Sequence, residues 1–288
     1  MSRYIKKNCC VCLCVYNNEN GLRQVLNNIK KIDSILNTKI LVFYDHSDDH
    51  SLQILTEFNN ENINKIEIII NERKLFNERV ENISYARNGL LQLIRGKYSH
   101  YEYFIMMDCN EYSCVGDIIV NNIKKVLMTN DWDALSFDRV AGYYDYWALS
   151  YDPHVYSFIH FDCDDYEKIV SAIRSNFQIL LNDYKTTKPD ELIPVYSAFN
   201  GFAIYRTVKF LNCNYSTVID ISLFPEYSIE NNEMIAGYKT QLDVYNCDCE
   251  HRHFHLEAIR KNNARIRVST KHIFKKVLNS GQNLRGSS

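Results

Sequence analysis

Glycine and proline are scarce in this chain, 9 and 4 of 288 residues, which excludes collagen-like repeats, flexible linkers and proline-rich adaptors. Charge of one sign is not in excess either: 33 Lys+Arg against 35 Asp+Glu leave a formal net charge of -2. No global basic field exists to hold nucleic acid, so any polyanion site must be local. Four of the ten cysteines fall in the apolar run Cys9 to Val15, where thiols act as small buried hydrophobes. That run, about seven residues, is far too short to span a bilayer and at the short end for a signal core. The expectation is a soluble chain of a reducing, cytoplasmic compartment. Three signatures are missing as well: GxGxxG after the first strand, GxxxxGK[ST], and GxSxG. Their absence sets aside Rossmann dehydrogenases, P-loop NTPases and α/β-hydrolases.

What is present is 46% hydrophobic and 13% aromatic, enough for a substantial core and against disorder. Val11 to Val15 reads as a buried strand emptying into the polar Tyr16-Asn17-Asn18-Glu19. Leu22, Val25, Leu26, Ile29, Ile32 and Ile35 then fall at helical spacing. Lys39 to Tyr44 is a second strand, and Leu52, Ile54, Leu55 and Phe58 a second helix, with Ser47 or Asp48 as its N-cap. Ile66 to Ile70, Ile83 to Ile94, Tyr101 to Met107 and Val115 to Met128 continue the alternation. This predicts an α/β, Rossmann-like doubly wound mixed sheet in a single domain. Residues 1–130 form a nucleotide-binding half, 131–280 an acceptor half and 281–288 a tail. In the second half, Trp132 to Phe137, Ala198 to Tyr205 and Thr240 to His255 read as strands, Gly142 to Leu149 as an aromatic loop, and Asp164 to Leu181 as a helix.

Ligands of such sheets bind outside the carboxyl ends of the strands. Three polar clusters occupy those ends: Tyr16 to Glu19, Asp45 to Asp49, and Asp108-Cys109-Asn110-Glu111. Asp108 and Asn110 are two apart and project to the same side of an extended chain. Oxygen ligands of this kind suit Mg²⁺ or Mn²⁺ completed by substrate phosphates, although a lone Asp-x-Asn equally serves as a helix cap. Further along, Cys247, Cys249, His251, His253 and His255 alternate, and on a strand all five share one face. A histidine from this set could join Asp108 on a metal ion. The rival readings are a zinc site and a histidine cluster without metal.

Ser84-Tyr85-Ala86-Arg87-Asn88-Gly89, Phe104 to Glu111, Tyr144-Asp145-Tyr146-Trp147-Ala148-Leu149, Ala198 to Tyr205 and Cys249-Glu250-His251 follow one another in an order that carries a resemblance. Over about residues 9 to 270 the chain resembles nucleotide-sugar glycosyltransferases of the GT-A fold, in particular viral and microbial members and the fungal capsule-associated mannosyltransferases. For a viral protein the compartment would be the host cytoplasm. The resemblance implies a metal-dependent transferase moving a sugar from a UDP- or GDP-sugar to a hydroxyl of a glycan or glycoprotein, with Mn²⁺ or Mg²⁺ as cofactor and no nucleic-acid partner. Asp108 and Asn110 stand in its DxD turn, the second carboxylate replaced by a neutral amide, with His251 and His255 as further metal ligands. Asn17, Asp45, Ser47, Arg87, Asp108 and Asp145 are implied to hold the donor, and Tyr144, Trp147, Asn200 and Gly201 the acceptor pocket. An inverting member also needs a carboxylate base, for which Glu250, Glu233 and Glu230 are candidates; a retaining member does not. Two other readings stay open: a sugar nucleotidyltransferase, and a non-catalytic glycan- or nucleotide-binding protein.

Overall fold

The computed structural model describes residues 5–73, 75–114, 116–241 and 247–275. Its first half is the expected alternation: β1 (Lys7–Val15), α1 (Glu19–Ile32), β2 (Leu36–Asp45), α2 (Ser51–Glu61), β3 (Ile66–Asn71), α3 (Arg79–Leu93), β4 (Tyr103–Met107) and α4 (Val120–Leu127). The second half holds β5 (Ala134–Phe137), α5 (Tyr166–Thr187), β6 (Ile193–Val195), β7 (Phe202–Arg206), α6 (Glu226–Ala236), α7 (Glu250–Asn262) and β8 (Ile266–Ser269). The tail assigned to 281–288 lies outside the described residues.

Among the described residues, eight strands form one mixed sheet in the order β3-β2-β1-β4-β7-β5-β8-β6. β1, β2, β3 and β4 are mutually parallel, whereas β7 runs antiparallel to both β4 and β5. Helices cover both faces, and β1 shows why its sequence is uniformly apolar. Cys9, Val11, Leu13 and Val15 pack with Leu22 and Val25 of α1, Leu55 of α2 and Ile123 of α4. Cys10 and Cys12 point the other way, toward Ala86 and Leu90 of α3 and Phe254 of α7. All ten cysteines are free thiols, eight of them buried, as the hydrophobic reading of the cysteine run anticipates.

Two local expectations are corrected. α2 is preceded by His50, without a side-chain cap, so neither Ser47 nor Asp48 is its N-cap; Asp49 Oδ1 instead accepts the Ser51 N–H (2.9 Å). The larger correction concerns the histidine-rich stretch. Residues 242–246 lie outside the described residues, and Glu250 to Asn262 is a helix rather than a strand. His251, Phe254, His255 and Ala258 are spaced for one helical face as well as His251, His253 and His255 are for a strand. Glu250 in the first turn, Arg260 and Lys261 in the last, and Asn263 in the left-handed C-cap conformation complete the helix.

Candidate functional site

The chain leaves β1 for β2 and β3 on one side and returns to β4 on the other, so the parallel strand order reverses between β1 and β4. A crevice opens at such a switch point, outside the carboxyl ends. It is a cavity of about 490 Å³ lined by Cys14 at the end of β1 and Tyr16 after it, Asp45 at the end of β2 with His46 and Asp48 after it, Asp108 and Asn110 after β4, and Arg79 and Arg87 of α3. All three polar clusters read from the sequence therefore converge.

Gly21 explains how closely the first and third clusters approach. A Cβ there would fall on the Cys109 carbonyl, so the start of α1 packs directly against the Asp108 turn. The β1 and β2 loops are laced together by Asn17, whose backbone is left-handed. Its N–H donates to Ser47 Oγ (3.1 Å) and its Oδ1 accepts the Asp48 N–H (2.9 Å). Asn17 and Ser47 thus shape the rim and do not line the cavity. Asp45 does line it, with Oδ1 accepting from Asn71 Nδ2 (2.6 Å); partial burial raises its pKa and the Asn71 bond opposes the rise.

Arg87 is 6% exposed and committed to protein partners. Nη1 donates to Glu250 Oε1 and His251 Nε2, and Nη2 lies 3.4 Å from Asp108 Oδ1. Its guanidinium also sits over the rings of Phe199 (4.7 Å) and Tyr215 (5.6 Å). Burial works against its charge, but Glu250 and Asp108 more than reverse this and keep it protonated. Burial raises the pKa of both Asp108 and Glu250, with Arg87 opposing. Asp108 Oδ2 meets Ser113 Oγ (3.3 Å) and the Tyr144 hydroxyl (3.5 Å). Asn110 Oδ1 accepts the Ser113 N–H (2.8 Å), closing the turn.

Asn200, with φ 58°, and Gly201, with φ 84°, join the two halves of the site. The Gly201 carbonyl accepts the Asp108 N–H (2.9 Å), the Asn200 N–H donates to Asp145 Oδ2 (3.3 Å), and Asn200 Oδ1 accepts the Tyr144 N–H (3.0 Å). Tyr144 and Asp145 are thereby fixed beside Asp108. Trp147 is half-buried against the core, and its carbonyl accepts from Arg252 (2.6 Å).

Other residues singled out in the sequence lie in different surroundings. Both ring nitrogens of His255 are engaged, Nδ1 with Ser197 Oγ (3.0 Å) and Nε2 with the Tyr205 hydroxyl (3.1 Å); burial pushes its pKa down to about 3. His251 stacks on Phe199 at 3.9 Å, and burial and then Arg87 hold it neutral. Glu233 binds Lys239 (2.7 Å) and Thr240, and Glu230 is exposed on α6. Among the described residues no group of three or more His, Cys, Asp or Glu is arranged to hold a metal ion.

The sequence reading passed over Arg79. It opens α3, lines the cavity, and is near enough for its charge to lower the pKa of both Asp108 and Glu250. A signal was available, because a cation at a helix N-terminus opposes the helix dipole and calls for another reason to be there.

Residues 10–112 match the model of Glycosyl transferase family 2. Over 94% of its length the chain superposes on S. aureus TarS 1-349 in complex with UDP, at 16% identity and a TM-score of 0.51, covering 59% of that chain. For the same protein in complex with UDP-GlcNAc the figures are 96%, 15%, 0.50 and 60%.

The fold is GT-A.

The mannosyltransferase PcManGT from Pyrobaculum calidifontis, in complex with GDP-Man and Mn²⁺, is matched at 13% identity and a TM-score of 0.44, over 92% of this chain and 57% of that one. This GT-A chain thus spans about three-fifths of the length of the solved proteins it matches. No curated protein matches it by sequence. No helix among its described residues is long and apolar enough to cross a membrane.

Proposed function

We propose that this GT-A domain transfers a sugar from a nucleoside diphosphate sugar, UDP- or GDP-linked, to a hydroxyl of a glycan or glycoprotein. The observation that carries the reading is the convergence of Asp45, Asp108, Arg79 and Arg87 on one cavity at the switch point of the sheet. Each has a part to play. Asp45, on the β2 side with one carboxylate oxygen bonded to Asn71, is suited to accept N–H groups of the base or hydroxyls of the ribose. Arg79, exposed at the start of α3 on the cavity wall, supplies positive charge for the diphosphate. Arg87 holds Asp108 and Glu250 in place from behind and adds its field to the phosphate end.

The residues fit a divalent cation of the Mg²⁺ or Mn²⁺ type only in the company of a diphosphate. Asp108 is a half-buried carboxylate on the cavity wall whose side-chain contacts are all long, 3.3 to 3.5 Å, so its lone pairs remain available. Such ions take one or two protein carboxylates and complete their shell with water and phosphate oxygens. Asp108 would hold the ion, assisted by the Asn110 carbonyl oxygen; His251 and His255 are engaged elsewhere. When bound, the ion would neutralise charge on the leaving diphosphate.

Incubation with a panel of nucleotide sugars and Mn²⁺, with and without mono- and oligosaccharide acceptors, tests the proposal by release of nucleoside diphosphate. Failure to bind or turn over any donor would sink it. Release of pyrophosphate from a nucleoside triphosphate and a sugar phosphate would point instead to nucleotidyl transfer.

A further inference from the structure

We propose that Asp145 takes the proton from the acceptor hydroxyl, an assignment that rests on the glycosyl-transfer reading above. An inverting displacement needs a carboxylate that is fixed, reachable and not already neutralised by a cation. Three acids named as bases from the sequence fail one of these conditions. Glu250 is 4% exposed and ion-paired with Arg87. Glu233 is tied to Lys239 and Thr240, and burial hardly touches it, so those bonds push its pKa down to about 2. Glu230 lies exposed on α6, where nothing fixes a carboxylate as buried hydrogen bonds would.

Asp145 meets all three conditions. Its carboxylate is positioned by two backbone donors, Ala148 N–H to Oδ1 (3.2 Å) and Asn200 N–H to Oδ2 (3.3 Å). Among the described residues it forms no ion pair. The same Asn200-Gly201 dipeptide that grips Asp145 accepts the Asp108 N–H, and Tyr144 reaches from the neighbouring position to Asp108 Oδ2. Asp145 is therefore locked to the turn that borders the donor cavity without lining that cavity itself. Its side chain is half-buried, and its neighbours Asn200, with which it shares hydrogen bonds, and Tyr144, bonded to the same Asn200, are residues that the resemblance implies for the acceptor pocket.

The titratable groups facing it are Asp108 after β4, Glu250 and Cys249 at the start of α7, and Tyr143 and Tyr144 of its own loop. None of these is a cation. Burial, reinforced by the charges of Asp108 and Glu250 against the Ala148 and Asn200 bonds, pushes Asp145 up to about 6. A base with that affinity is ionised at neutral pH yet holds a proton far better than an exposed carboxylate. In the step itself the acceptor oxygen bonds to the anomeric carbon while its proton passes to Asp145. The bond from that carbon to the diphosphate oxygen breaks, and its electron pair leaves with the nucleoside diphosphate.

The test compares wild type, Asp145→Asn, Asp145→Glu and Glu250→Gln in transfer rate against pH, with UDP and GDP affinity measured by calorimetry. Asp145→Asn is expected to lose about 10²–10⁴-fold in kcat and the acid limb of the profile, while binding nucleotide as the wild type does. Asp145→Glu should keep an acid limb at reduced kcat, and the product should have inverted anomeric configuration. The assignment is overturned if Asp145→Asn keeps the wild-type rate, if it loses nucleotide binding, if Glu250→Gln alone removes the acid limb, or if configuration is retained. Absence of any transfer by the wild type is a different result, and it would overturn the glycosyl-transfer reading itself.

Discussion

Arg87 and Glu250 are 163 residues apart in the chain and form a buried ion pair. With His251 and Asp108 on the same guanidinium, this pair ties the start of α7 to the end of β4 across α3. Removing one member leaves the other charged and dry. Arg87→Met is expected to lower unfolding free energy by about 3–5 kcal/mol, read by urea denaturation. Glu250→Gln combined with it should cost less than the sum of the single changes, because the orphaned carboxylate is gone. Additive losses would show that the two side chains do not share one interaction.

Nucleotide binding should depend on Asp45 more than on Asn17. Loss of a hydrogen bond to a charged acceptor costs about 1.5–3 kcal/mol, so Asp45→Ala should weaken UDP or GDP binding roughly 10- to 150-fold by calorimetry. Asn17→Ala acts only through the loop it laces and should cost less. Equal losses would move the base site away from β2.

Metal dependence has its own measurement. Chelation by EDTA is expected to abolish donor turnover, and added Mn²⁺ or Mg²⁺ to restore it. Asp108→Ala should remove the enhancement of nucleotide binding by the ion. Arg79→Ala should instead weaken nucleotide binding with and without the ion. An Asp108→Ala variant that keeps its metal-enhanced binding would take Asp108 out of the ion site.

Acid sensitivity follows from two buried histidines. Burial pushes His160 down to about 4 and His255 to about 3, Asp248 partly opposing the shift at His160. In the unfolded chain both take up protons near pH 6.5. Their contribution is thus complete above that value and is lost as pH falls from 6.5 toward the folded values. His160→Leu should make the fall of stability between pH 6.5 and 4.5 shallower, by up to about 1.4 kcal/mol per pH unit. Urea midpoints across that range check it; an unchanged slope would mean that His160 is already protonated in the fold.

Gly21 offers a steric test of the crevice. Gly21→Ala sets a methyl group against the Cys109 carbonyl, and overpacking of this kind costs about 1–3 kcal/mol. Because the displaced backbone is the Asp108 turn, nucleotide affinity should fall together with stability. A loss of stability alone would mean that α1 yields and the turn stays.

The sequence by itself determined the alternation of β1 to α4, the burial of most of the cysteines, and the convergence of the loops that carry Asp45 and Asp108 at one end of the sheet. Each follows from local periodicity and from the rule that parallel strands end on the same side. The histidine-rich stretch shows where periodicity stops deciding: residues 251, 253 and 255 fit a strand, residues 251, 254, 255 and 258 fit a helix, and packing against Phe199 and Tyr205 chose the helix. Which charges neutralise one another was likewise a tertiary matter. Arg87 was legible as a cation at the cavity, but its partner Glu250 lies far along the chain, and burial of the pair sets both their charges and their distance from solvent. Among the described residues the same long-range geometry gives Asp145 no cation as partner, and it is the Asn200-Gly201 backbone that fixes Asp145 beside the Asp108 turn.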